Sequence, residues 1–233
     1  MSFQSDNPFV AVAESAPQTR AAFIRKTYNH LAGAILAFIV VEYLMLQAGV
    51  GFAMLSFMQS FGSMGWLGIL GGFMVASWFA RSMATHSERN MQYVGLGIYV
   101  VAQALIFAPI LHLAASYYEG VISSAATMTL LLFAGLTATV FITKKDFSFL
   151  RTILMVGGAI ALGMIVCGAL FGFQLGMWFS VGMIVFASAA ILYDTSKVMH
   201  HYHESQYVGA SLELFASVAL LFWYILQLFM SRD

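Results

Sequence analysis

Charged side chains are scarce in this chain of 233 residues, of which they make up 9%. A soluble domain carries about 25% charged residues. So little charge cannot cover a globular surface in water, and the sequence therefore predicts that lipid is the main solvent. The ten basic residues balance the ten acidic ones without forming a basic run. We therefore expect no nucleic-acid partner.

Cysteine is almost absent as well, since Cys167 is the one cysteine of the chain. It cannot form an intramolecular disulfide and has no second thiol with which to share a metal ion. The sequence also lacks the His-Glu-x-x-His zinc motif, and no histidine is placed to activate a serine nucleophile. We therefore expect no enzyme and no resident cofactor.

Long hydrophobic runs are what the sequence has in abundance, because 61% of its residues are hydrophobic. Seven runs of about 20 residues are each long enough to cross roughly 30 Å of hydrocarbon. They are continuous rather than alternating, which favours helices over the strands of a barrel. The predicted fold class is an all-α integral membrane protein with seven transmembrane helices. The predicted spans are 28–49, 62–80, 92–113, 119–142, 152–172, 176–196 and 207–230.

The predicted domain organisation is simple, because the connections between these spans are short. Residues 21–233 are expected to form one transmembrane domain, with no soluble module. Residues 1–20 are polar and contain two of the three prolines. They are predicted to form a flexible cytoplasmic tail.

Lysine and arginine predict the orientation of the chain. Nine of the ten basic residues lie before span one or in the loops after spans two, four and six, whereas Arg232 lies at the other end. Because basic residues accumulate in cytoplasmic loops, the N-terminus is predicted to be cytoplasmic and the C-terminus external. A re-entrant seventh segment would instead return the C-terminus to the cytoplasm.

Small residues recur at every fourth position in two of the spans, a spacing that lets helix backbones approach closely in lipid. Spans two and five are therefore expected to use these residues for close packing. The positions are Gly68, Gly72 and Ala76 in span two and Ala159, Gly163 and Cys167 in span five.

Acidic residues inside the apolar spans are the candidate functional groups. A carboxylate at a helix centre costs roughly 2.5–3.5 kcal/mol on insertion scales. If spans six and seven are antiparallel neighbours, Asp194 and Glu213 lie at similar depth, where they could share a proton or bind a hard cation such as Ca²⁺. Three alternatives stay open: a salt bridge from Asp194 to Lys197, a protonated Glu213 bonded to a neighbouring helix, and an interfacial Glu42.

Three histidines follow span six, at His200, His201 and His203. Imidazoles titrate near physiological pH, so the loop is a secondary candidate for a pH sensor or a metal site. Its spacing matches no standard zinc pattern. A solvated cytoplasmic loop is the favoured interpretation.

Four stretches carry a resemblance to a known family. Arg-Lys-Thr-Tyr at 25–28 begins span one, and a Lys-Lys-Asp-Phe-Ser-Phe sequence lies within 142–150. Ile-Leu-Tyr-Asp-Thr-Ser at 191–196 ends span six, and Ala-Ser-Leu-Glu-Leu-Phe at 210–215 lies early in span seven. In this order the stretches resemble the Bax inhibitor-1 (transmembrane BAX inhibitor motif) family, and within it the bacterial YccA-like branch. The resemblance covers the chain after about residue 20.

The resemblance implies six helices wrapped around a central seventh. It also implies a carboxylate pair, since some members of the family resemble pH-sensitive calcium leaks with one acid on each of spans six and seven. Asp194 matches the first acid, but Ser217 occupies the position of the second. Glu213 lies four residues before Ser217, on the same helix face, and is the candidate for the missing charge.

The YccA-like branch implies an interaction protein of the bacterial inner membrane. It is expected to bind the membrane-anchored AAA+ protease FtsH and its regulatory complex, and to limit the degradation of other membrane proteins. The polar tail is the expected site at which the protease engages the chain. The alternative function is a pH-sensitive calcium or cation leak.

Overall fold

Helices account for all the regular structure in the residues that the computed structural model describes, which are 12–86 and 88–231. Short 3₁₀ turns at Val12–Glu14 and Glu204–Gln206 precede the first and the last α-helix. The α-helices are α1 (Pro17–Gln47), α2 (Val50–Phe61), α3 (Ser63–Ala84), α4 (Arg89–Tyr117), α5 (Val121–Thr143), α6 (Leu150–Phe171), α7 (Gly176–His200) and α8 (Tyr207–Met230).

Seven of these helices are long and apolar enough to cross a membrane, which confirms the predicted fold class. The eighth, α2, lies in a segment that the sequence predicted as a loop. Its 12 residues would rise about 18 Å, too little to cross roughly 30 Å of hydrocarbon. Gly49 and Gly62 flank it with φ of 73° and 55°, so glycine permits the left-handed backbone at both of its ends.

The first span starts earlier than predicted, at Pro17 rather than at residue 28. Hydropathy detects only the part of a helix that contacts hydrocarbon. The first eleven residues of α1 are more polar, and buried and exposed side chains alternate along them. Phe23 and Thr27 are buried in this part of the helix. Proline at the first helical position suits such a start, because its missing N–H would have no partner there in any case.

The predicted tail is also shorter than expected, because residues 12–20 belong to the folded domain. The backbone N–H of Val12 donates to the carbonyl oxygen of Tyr202 at 2.9 Å, and the Val12 side chain is fully buried. This bond ties the start of α1 to the connection between α7 and α8. The rest of the tail, residues 1–11, lies outside the described residues.

The outward faces of the bundle carry large apolar side chains. Trp78, Leu131 and Trp178 are 69%, 66% and 80% exposed. Such side chains would be unfavourable in water, but they match a surface surrounded by acyl chains. The structure thus agrees with lipid as the solvent that the composition predicted.

The interior of the bundle is built around α8, which packs against α1, α3, α4, α5 and α7. This agrees with the predicted central seventh helix, and α4 shares the interior with it. Aromatic rings join these helices: Phe107 of α4 lies edge-to-face with Phe38 of α1 and Trp223 of α8, at centroid distances of 5.3 and 4.9 Å. Phe215 of α8 packs on Phe38 at 5.9 Å.

Close backbone contacts occur at glycines other than those predicted. A Cβ atom at Gly95 would lie 2.6 Å from the carbonyl oxygen of Ala80, and one at Gly209 would lie 3.0 Å from that of Ala84. By contrast, a Cβ at Gly68, Gly72 or Gly163 would meet no atom within 4 Å. The packing prediction for spans two and five is therefore wrong at these three glycines. Spacing shows which residues share a face, but not whether that face meets a helix or lipid.

Candidate functional site

Helices α7 and α8 pack side by side, and this brings Asp194 to Ser217. The Ser217 hydroxyl donates to Asp194 Oδ2 at 2.5 Å, and both residues are buried. A buried carboxylate is stable only when it is hydrogen-bonded or paired. Ser217, which the resemblance places at the position of the second acid, therefore contacts Asp194 directly as its hydrogen-bond donor.

Glu213 lies one turn before Ser217 and pairs with a different group. Lys197 Nζ lies 2.5 Å from Glu213 Oε2, and the two side chains are 24% and 29% exposed. The predicted alternative of a salt bridge from Asp194 to Lys197 is therefore wrong. Although Lys197 lies three residues after Asp194, its ammonium group reaches across to α8.

A second cation lies on α3, near the two acids. The Arg81 guanidinium lies 5.7 Å from the centre of the Tyr99 ring and interacts electrostatically with Glu213 and Asp194. Two acidic and two basic side chains thus meet at one end of the bundle. We call Arg81, Asp194, Lys197, Glu213 and Ser217 the carboxylate cluster.

Tyrosine rings surround the lysine of the carboxylate cluster. Lys197 Nζ lies 5.0 Å from the centre of the Tyr202 ring and 5.5 Å from that of Tyr193, both within cation–π range. Burial raises the pKa of Tyr202, and the negative charge of Glu213 raises it further. The Tyr202 phenol is therefore neutral at physiological pH.

The cluster offers few free ligands for a hard cation. Ca²⁺ takes six to eight oxygen ligands, whereas here one oxygen of Asp194 already accepts a hydroxyl and Glu213 is ion-paired. Within 12–86 and 88–231, no group of three His, Cys, Asp or Glu side chains is arranged to hold a metal ion. The geometry fits a charge-balanced structural cluster that joins α3, α7 and α8.

The three histidines of the α7–α8 connection do not converge on one point. His200 Nδ1–H donates to the carbonyl oxygen of Ser196 at 3.0 Å. His201 Nε2 lies 3.4 Å from Asp146 Oδ2. His203 caps the 3₁₀ turn, where its backbone N–H donates to Gln206 Oε1 at 3.1 Å. Each histidine therefore has a partner of its own, and the His201 side chain is 48% exposed.

Asp146 is the member of this region that sequence reasoning missed. It accepts from the backbone N–H of Ser148 at 2.9 Å and from the Ser148 hydroxyl at 2.5 Å. The Ser196 hydroxyl donates to it at 3.2 Å, across to α7. The sequence signal was the Asp-x-Ser spacing of a side-chain-capped turn, which precedes α6.

These hydrogen bonds, led by that of the Ser148 side chain, lower the pKa of Asp146 from 3.8 to about 2. Bonds that favour the carboxylate stabilise the fold at pH values above the unfolded pKa. This contribution is lost as the pH falls from 3.8 towards 2. Asp146 therefore ties the α5–α6 loop to α7 throughout the physiological pH range.

Glu42 is isolated from all of these groups. It lies in α1, is 4% exposed, and neither carboxylate oxygen has a hydrogen-bond partner among the described residues. The side chain therefore faces the protein interior, five residues before the end of α1 at Gln47. Hydropathy cannot distinguish the two faces of such a helix.

The fold and these buried charges define a multi-pass α-helical membrane protein. A family model described as "Inhibitor of apoptosis-promoting Bax1" matches residues 20–233. The chain therefore belongs to the Bax inhibitor-1 family, as the resemblance predicted.

Several relatives are known by sequence. An uncharacterised protein of Pseudomonas aeruginosa is 41% identical over 112 residues, 47% of this chain and 49% of the relative. The "Modulator of FtsH protease YccA" of Escherichia coli K12 is 36% identical over 132 residues, 55% of this chain and 60% of the relative. "Protein LIFEGUARD 4" of Arabidopsis thaliana is 27% identical over 230 residues, 94% of this chain and 88% of the relative. The chain thus spans only about half to three fifths of the length of the two bacterial relatives.

Proposed function

We propose that this chain is a modulator of the membrane-anchored protease FtsH in the bacterial inner membrane. It binds the protease and its regulatory complex, and it slows the degradation of other membrane proteins. The proposal is supported by the Escherichia coli relative, whose name assigns it that role, and by the family match over 20–233.

The structural observation that carries the proposal is the internal pairing of the carboxylate cluster. Asp194 is bonded to Ser217, and Glu213 is paired with Lys197. A conducting site needs charges that can exchange partners, whereas paired charges between helices resist separation in lipid. The close contact of α3 with α4 at Gly95 adds to this resistance. A bundle that is difficult to extract suits a protein that occupies a protease and is degraded slowly.

We assign the site at which the protease engages the chain to the segment before Val12. Residues 12–20 are not available for it, because Val12 is bonded to Tyr202 and α1 begins at Pro17. Residues 1–11 contain five polar side chains and one proline, a composition that suits engagement by a protease. The basic residues near the N-terminus of α1 favour a cytoplasmic position for this end.

The test is competition in proteoliposomes that contain FtsH and a fluorescent membrane-protein substrate. We expect an equimolar amount of this chain to slow the degradation of the substrate at least about twofold, as for a substrate of equal affinity that is released slowly. Deletion of residues 2–11 should abolish the effect without unfolding the domain. A variant with residues 2–11 in scrambled order is the matched control and should still inhibit, because it keeps their length and composition.

Two results would contradict the proposal. The first is an unchanged rate of substrate degradation at all ratios of the chain to FtsH. The second is undiminished inhibition by the deletion variant. This result would mean that the chain still binds FtsH, but that the protease does not engage it at the N-terminal segment.

A pH-sensitive cation leak is the second candidate function. The observation that favours it is that Asp194 of α7 and Glu213 of α8 lie in one cluster of two neighbouring helices. The test is calcium flux into dye-loaded liposomes between about pH 6 and 8, where groups of perturbed pKa titrate. For a modulator, flux should equal that of empty liposomes. For a leak, flux should depend on pH and change in the Asp194→Asn/Glu213→Gln variant, but not in Glu14→Gln, which alters an exposed acid.

A further inference from the structure

A cavity of about 660 Å³ lies towards the C-terminal end of α1, away from the carboxylate cluster. Its walls come from α1, α4, α5 and α8. Ile39 and Tyr43 of α1 and Leu130 of α5 line it and are also exposed on the outer surface. The cavity therefore opens sideways between α1 and α5, and its volume lies within the range of small-molecule sites.

Glu42 provides the buried acid in this cavity. Phe38, Phe215 and Phe222 are among the apolar side chains around it. Both oxygens of Glu42 lack a hydrogen-bond partner among the described residues, although the side chain is 4% exposed. A buried carboxylate with no partner is unfavourable, so the site is complementary to a donor that arrives from outside the chain.

The charges around the cavity are of one sign. Among the residues that the structure describes, Glu42 and Glu119 are the charged ones of the wall, and neither lysine nor arginine lines it. The hydroxyls of Ser123 and Thr129 donate to backbone carbonyls, at 2.9 and 2.7 Å, and so do not donate a hydrogen bond to Glu42. Such a wall attracts a cation with an apolar body. A phospholipid amine fits less well, because its phosphate would have no basic partner.

We propose that this cavity binds a lipophilic amine, whose ammonium group pairs with Glu42 while its apolar body lies against α5 and α8. A bare metal ion does not suit the site, since a single buried carboxylate among aromatic rings supplies too few oxygen ligands. The amine enters from the lipid side, between α1 and α5, and Glu119 at the rim attracts it. This binding is independent of the proposed effect on FtsH.

The probe is decylamine, and decanol is its uncharged counterpart of equal chain length. Native mass spectrometry of the whole protein, released from a neutral detergent, reports each bound molecule by its mass. We expect decylamine to bind the native chain about 10- to 100-fold more tightly than decanol, the range for a charge-assisted hydrogen bond. Glu42→Gln should abolish this preference, whereas Glu14→Gln, at an exposed acid, should keep it. Ala126→Phe, which fills the cavity, should weaken the binding of both molecules.

Three results would overturn the proposal. They are equal affinities of the native chain for decylamine and decanol, an unchanged preference in Glu42→Gln, and a co-purified phospholipid that decylamine does not displace. The comparison of amine with alcohol on the native chain decides the question even if a variant fails to fold. A fourth such result is binding of decylamine that is unchanged in Ala126→Phe, because the amine would then bind elsewhere.

Discussion

Replacement of Lys197 by methionine is expected to lower the free energy of unfolding by about 2–4 kcal/mol. The change removes the partner of Glu213 and leaves its carboxylate in the interior of the bundle. Breaking a fully buried pair costs about 3–5 kcal/mol, and the partial exposure of these two side chains reduces that figure. Their exposures of 24% and 29% are small enough for most of the effect to remain.

The measurement is unfolding by sodium dodecyl sulfate in mixed micelles, applied to a double-mutant cycle. The cycle contains Lys197→Met, Glu213→Gln and the double variant. Because the double variant contains neither charge, it should be more stable than the sum of the two single effects predicts, with a coupling energy of about 1–3 kcal/mol. Lys145→Met is the matched control at an exposed lysine and should change stability by less than about 0.5 kcal/mol.

Additive effects in this cycle would contradict the ion pair as a stabilising contact. Glu213 would then be neutral or paired with another group. The carboxylate cluster would lose the ion pair that supports a modulator rather than a cation leak. A stable Lys197→Met variant would have the same consequence.

Substitution of Gly95 by alanine is expected to destabilise the bundle by about 3 kcal/mol, at the upper end of the usual cost of overpacking. The new Cβ would lie 2.6 Å from the carbonyl oxygen of Ala80 and 2.7 Å from the backbone nitrogen of Ala84. Both atoms belong to the backbone of α3, so no side chain can rotate to make room. Helices α3 and α4 must move apart, and this lengthens contacts along their whole interface.

The matched control is Gly97→Ala, two residues further along α4. A Cβ at Gly97 would meet nothing within 4 Å, so the stability should change by at most about 1 kcal/mol, the difference in helix propensity between glycine and alanine. Unfolding of both variants in sodium dodecyl sulfate, followed by tryptophan fluorescence, gives the comparison. Equal stabilities would show that the contact between α3 and α4 is looser than its geometry indicates.

The contrast between these two glycines explains where sequence reasoning about packing failed. Gly68, Gly72 and Gly163 have the spacing of close helix contacts but meet no neighbouring atom, whereas Gly95 has no small residue four positions away and yet contacts a backbone. A helix in lipid is apolar on all faces, so hydrophobicity does not mark the face that meets another helix. The direction of each face depends on how the other helices pack.

The contacts of the polar residues also depend on how the helices pack, which the sequence does not show. Asp194 and Glu213 were predicted from their cost in lipid, and the structure brings both into one cluster. Their partners were not predictable from sequence distance, because Lys197 reaches across to α8 instead of pairing with Asp194 on its own helix. Asp146 was missed, since an acid in a short loop looks solvated until Ser196 of the neighbouring helix is seen to contact it.

The sequence alone determined the solvent and the seven long apolar helices, because these follow from the average chemistry of 20-residue windows, whereas it missed the short helix α2. The seven predicted spans correspond to seven observed helices, and the family follows from the order of short motifs. The tertiary structure alone decided the close contact at Gly95, the pairing of Lys197 with Glu213 and the burial of Glu42 in a cavity. The physical reason is that each of these depends on atoms from a second helix, and window averages contain no information about which helix that is.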